Sequence, residues 1–139
     1  MTRADDELTS AEELLTRAAA VLIRYEVDVR VEDGALGFEF EGGLCSLRAV
    51  TLTPGLDVLT LTCVLAWDRT LKPQLHKRVA ERNASLQFGS ITVIAHDKLA
   101  DVVLRYTFPA AGLSDDALTA MLLLVLSGAG EARKGLLAP

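Results

Sequence analysis

Catalytic hardware is scarce in this chain: two histidines, two cysteines, one tryptophan and 5% aromatic residues among 139 positions. Nucleophilic catalysis needs a Ser or Cys, a base beside it and a group that orients the base. His76 falls in a basic helical segment and His96 at a tight turn, settings in which an imidazole is commonly just solvated. Cys45 and Cys63 each lack a second ligand two to four residues away, so zinc is poorly served. The glycines between Gly128 and Gly135 follow a helical pattern rather than a strand and lack phosphate-loop spacing. Paired acids such as Glu12-Glu13 and Asp115-Asp116 stand at helix starts, where the helix dipole explains them. No catalytic residue, cofactor site or metal site is therefore expected.

Long apolar runs are missing too. The run Met121 to Leu126 falls far short of the roughly 20 residues that a spanning helix needs. The acidic start Met1-Thr2-Arg3-Ala4-Asp5-Asp6-Glu7 is unlike a signal peptide, so a cytoplasmic location is expected. Cys45 and Cys63 flank Pro54-Gly55 about equally, and a hairpin there would set them opposite each other. Their apolar neighbours favour buried free thiols over a disulfide.

What is present is apolar residues, at 50%, enough to bury a core in one domain over residues 1–139. An acidic tail (1–8) and a flexible end (128–139) are expected to flank it. The net charge of −5 is uneven, because residues 1–41 hold eleven acids against four arginines. Such asymmetry argues against a whole surface made for nucleic acid.

Ser10-Ala11-Glu12-Glu13 reads as a capping box, followed by an apolar helical stripe of Leu14, Leu15, Ala18, Leu22 and Tyr25. From Val27 the period changes to two. Val27, Val29 and Val31, then Leu36, Phe38 and Phe40, alternate with polar residues around Asp33-Gly34. Gly42-Gly43 and Pro54-Gly55 mark the next turns, before runs at Cys45 to Ala49 and Leu59 to Trp67. The pattern predicts an antiparallel meander. Asp68 or Thr70 can cap a second helix with Pro73 in its first turn. A hairpin follows, turning at about His96 to Leu99, and then a helix opened by Ser114 and closed by Gly128 and Gly130.

Two surfaces stand out. The last helix is apolar nearly all round, with Leu123 and Leu124 off the main stripe, so its surplus must meet another element or another chain. The second helix carries an apolar stripe of Leu71, Leu75 and Val79 beside Arg69, Lys72, Lys77, Arg78 and Arg82. Leu71, Leu75, Val79, Leu123 and Leu124 are the candidates for binding a protein partner or a second copy. The five cations could alternatively contact phosphates of a nucleic acid, although aromatic stacking platforms are few.

The segment RNASLQFGSITVIAHDKLADVVLRYTFP, with Asn83 before Phe88-Gly89 and paired strands ending at Pro109, leads into LSDDALTAMLLLVL. This text resembles the bacterial YbjN-like family, whose fold is that of type III secretion chaperones. The resemblance implies an α+β fold in the order α-ββββ-α-ββ-α, with about six antiparallel strands flanked by three helices. It also implies homodimerisation and a chaperone-like or regulatory role that holds another protein, without catalysis.

Overall fold

The computed structural model describes residues 8–137 and contains three helices and one six-stranded antiparallel sheet. Helix α1 (Ser10–Arg24) is followed by β1 (Arg30–Glu32), β2 (Ala35–Phe40), β3 (Gly43–Thr53) and β4 (Leu56–Thr70). Helix α2 (Pro73–Ser85), strands β5 (Ser90–His96) and β6 (Leu99–Pro109) and helix α3 (Asp115–Leu137) complete the chain. The fold is α+β in the order the sequence implied. The strands lie as β1-β2-β3-β4-β6-β5, so the second hairpin adds to the meander through β6 and leaves β5 at an edge.

The core follows from strand alternation. Leu36 and Phe38, Cys45 and Leu47, Leu59 and Leu61, Val102 and Leu104 all point to one face and form a single cluster with the helices. The opposite face carries Arg48, Thr60, Thr62, Arg105 and Thr107 and is left without a helix. Asp57 is the one buried charged residue among those described, and its carboxylate accepts the Thr51 hydroxyl.

The starts of α1 and α2 and the extent of β1 differ from the expectations. The capping box is Thr9 with Glu12, one residue earlier than Ser10 with Glu13: the Glu12 amide donates to the Thr9 hydroxyl at 3.1 Å and the Thr9 amide to the Glu12 carboxylate at 3.1 Å. Both registers fit the same motif, and the earlier one adds helical hydrogen bonds. Neither Asp68 nor Thr70 caps α2, because β4 continues through both; Lys72 is the N-cap without a side-chain bond, and Pro73 supplies the preset φ. The strand expected from Val27 is paired only over Arg30–Glu32, with Val31 exposed.

The largest correction concerns the end of the chain. Gly128 and Gly130 do not stop α3, and residues 128–137 are helical instead of a flexible end. Gly130 is a notch: a Cβ there would overlap the Glu41 carboxylate, from the β2–β3 turn. Gly135 admits the Arg82 guanidinium in the same way. A glycine in a helix interior costs roughly 1 kcal/mol in propensity, and at these two positions a larger residue would displace the Glu41 or Arg82 side chain. The acidic segment 1–7 and residues 138–139 lie outside the described residues.

Helix α3 packs on β4 and against both α1 and α2, which explains why it is apolar nearly all round. Leu118, Leu122, Val125, Leu126, Ala129, Ala132 and Leu136 are buried within this one chain. Its start is tied to α1 by Arg17, which donates to Asp115 at 3.0 Å and to the Leu113 carbonyl at 2.6 Å. Ser114 accepts the Ala117 amide as the expected cap.

The Asn83 and Phe88-Gly89 text occupies the α2–β5 junction. Asn83 takes the Ile91 amide on its Oδ1 at 2.8 Å and donates Nδ2 to the Ile91 carbonyl at 3.0 Å. Its amide thus acts as a one-residue partner for the edge strand. Phe88 leans on Tyr106, with ring centroids 5.8 Å apart. Gly89 has φ +89°, and a Cβ there would stand 3.1 Å from the Arg105 carbonyl oxygen.

Candidate functional site

The structure divides the five apolar candidates. Leu75 and Val79 belong to the monomer core and leave no area for a partner. Leu71 and Leu123 are half-buried, and Leu124 is 51% exposed. Most of the surplus assigned to α3 is therefore absorbed by α1, α2 and the sheet. Exposed apolar area lies elsewhere as well: Leu44, Val50 and Ile94 stand on the face of the sheet that no helix covers.

The five cations do not form one patch. Arg78 donates to the Leu136 carbonyl at 3.4 Å, and the Arg82 side chain lies against Gly135. Both serve the C-terminal end of α3, where carbonyls lack helical partners and favour positive charge. Arg69, Lys72 and Arg78 come together along an open concavity of about 390 Å³ that also includes Asp68. Lys77 lies outside it and is exposed.

Cys45 and Cys63 are register partners across β3 and β4, as the turn position implied. Their sulfurs are 3.0 Å apart, and both are free thiols buried beneath α3. The Cys45 contact first, and burial second, push the Cys63 thiol up and hold it protonated.

A cluster that the sequence did not disclose stands at the end of the β5–β6 hairpin. His96 Nε2 lies 3.0 Å from Asp101 Oδ1 and 3.3 Å from Asp68 Oδ1. The Asp68 amide donates to Asp101 Oδ1 at 2.9 Å. The hydrogen bond to Asp101 raises the His96 pKa above its ordinary 6.5, with the Asp68 and Asp97 charges adding to it. The Asp68 amide, then His96, lower the Asp101 pKa below 3.8. The two-residue turn was a usable signal, since it sets positions 96 and 101 diagonally across the hairpin on one face. Asp68 was not readable: irregular pairing between Ala66 and Arg69, with Asp68 at φ +49°, re-aims it.

Among the described residues, no helix is long and apolar enough to cross a membrane. No curated protein matches the sequence. A solved structure described as "Crystal structure of YbjN, a putative transcription regulator from E. coli" is similar to this chain at 13% identity, with a TM-score of 0.54. The similarity covers 86% of this chain and 91% of that one, and at such identity it speaks for the fold alone. The YbjN family model, described as "Putative bacterial sensory transduction regulator" rather than as an enzyme, matches residues 10–137, and the chain belongs to that family.

Proposed function

We propose that this chain is a non-enzymatic regulator that acts as a homodimer and holds another protein against its uncovered sheet face. The observation that carries the reading is the set of large apolar side chains on that face, Leu44, Val50 and Ile94, interspersed with Arg48, Arg105 and threonines. Large apolar side chains spread among polar groups over one uncovered face suit contact with another protein. Six strands spaced about 4.8 Å apart span roughly 29 Å, and six residues along them about 20 Å, so the face offers on the order of 600 Å². That approaches the about 800 Å² per partner of a standard interface. The second copy is assigned to the flank of α3 that bears Leu123 and Leu124.

Sedimentation at micromolar concentration tests the dimer: a mass near twice 14.9 kDa is expected, and Leu124→Asp should reduce it to a monomer. A wild-type chain that stays monomeric removes the dimer from the reading. Pull-down from native extract in high salt tests the sheet face, since apolar docking resists screening. Leu44→Lys with Val50→Lys should abolish the capture, and an unchanged capture overturns that assignment.

A second reading, contact with nucleic-acid phosphates, draws on the convergence of Arg69, Lys72 and Arg78. It requires DNA or RNA binding that weakens steeply with salt and is lost when these three are neutralised. No binding at low salt removes it.

A further inference from the structure

Asp68, His96 and Asp101 reach one point from three strands: an irregularity in β4, the last residue of β5 and the third residue of β6. Their donor atoms, one imidazole nitrogen and two carboxylate oxygens, all lie within 4.8 Å of one another. Around an ion bonded at roughly 2.0–2.2 Å, neighbouring ligand atoms stand about 3.0 Å apart in an octahedron and about 3.4 Å apart in a tetrahedron. The separations from His96 Nε2 are 3.0 Å and 3.3 Å.

We propose that Asp68, His96 and Asp101 hold a divalent transition-metal ion, Zn²⁺ or its analogue Co²⁺, with the remaining coordination positions open to solvent. The donor set selects the class of ion. An imidazole nitrogen suits zinc and its neighbours, whereas calcium and magnesium prefer all-oxygen shells. With a neutral imidazole the two carboxylates carry a charge of −2, which the ion cancels. Ligation uses the same imidazole nitrogen that a proton would occupy, so proton and metal compete for it. Asp101 is held toward the site by the Asp68 amide, and the pairing of β5 with β6 fixes His96 beside it. The exposed edge of the site leaves room for a donor from another molecule. The inference stands apart from the protein-binding reading and does not need it.

The chain carries its own reporter. Trp67 is the single tryptophan, is exposed, and adjoins Asp68. Co²⁺ added to chelator-stripped full-length protein should quench Trp67 fluorescence saturably, and Zn²⁺ should displace it and restore the emission. Asp68→Asn and His96→Gln should each move the midpoint by more than about tenfold, the loss that even an outer partner of a metal ligand can cause. Asp68 is a mainly exposed side chain and its amide replacement is close in shape, so that variant keeps its fold, which far-UV circular dichroism verifies. His76→Gln should leave the titration unchanged. Absence of saturable quenching, failure of Zn²⁺ to compete, a midpoint that either site variant leaves in place, or a midpoint moved by His76→Gln overturns the proposal.

Discussion

Asn83→Ala isolates the contact that joins α2 to the sheet. The side chain satisfies both backbone groups of Ile91 on the outer edge of β5, at 2.8 and 3.0 Å. Each such bond contributes a net of about 1 kcal/mol, and alanine returns up to roughly 0.5 kcal/mol of helix propensity, so the expected loss is about 1.5 kcal/mol. For a chain of this size that lowers Tm by roughly 5–7 °C. Urea denaturation gives the free energy, and amide exchange gives its location: Ile91 should lose protection while Leu104, its partner across β6, changes only with global stability. Asn83→Asp should cost no less at neutral pH, because it sets a carboxylate oxygen against the Ile91 carbonyl. A loss below about 0.5 kcal/mol, the size of an ordinary surface substitution, together with unaltered Ile91 exchange would refute the role given to Asn83.

Leu122→Ala should cost about 3–5 kcal/mol in a melt, since Leu122 is only 1% exposed, whereas Leu124→Ala should stay within about 0.5 kcal/mol in the monomer. Equal losses would show that the burial of α3 is misassigned. His96 should titrate above 6.5 by NMR in metal-free protein. Because its folded pKa is raised, its stabilising contribution is complete below the unfolded value and fades as pH rises through the folded one; Asp101, with a lowered pKa, contributes above 3.8 and loses this as pH falls through its folded value. A wild-type advantage over His96→Ala that grows above neutral pH would contradict this sign. Cys45 and Cys63 should resist a thiol-reactive dye in the native state and react fully in denaturant, and rapid native labelling would oppose their burial.

The element order was legible because its signals are local. Asp33-Gly34 and Pro54-Gly55 announce turns, alternation from Leu36 and Leu59 announces strands with one dry face, and Ser114 announces α3. Local signals failed where two registers satisfy one motif, as at Thr9 and Ser10, and where a glycine serves a neighbour rather than a helix end, as at Gly130. The apolar surplus of α3 was visible, but its meaning was not: only the docking of α1 and α2 on either side shows that the surplus is mostly consumed within the chain.

Periodicity and turn chemistry alone therefore determined the order of helices and strands and which face of the long strands is dry, since both act over a few residues. Tertiary structure alone decided that Leu75 and Val79 are buried, that Arg78 and Arg82 turn toward α3, and that Leu44, Val50 and Ile94 remain on an uncovered face. It also decided that Asp68 meets His96 and Asp101: the hairpin turn already sets His96 and Asp101 on one face, but only the irregular pairing of β4 with β6 brings in Asp68, whose place in the sequence carries no trace of it.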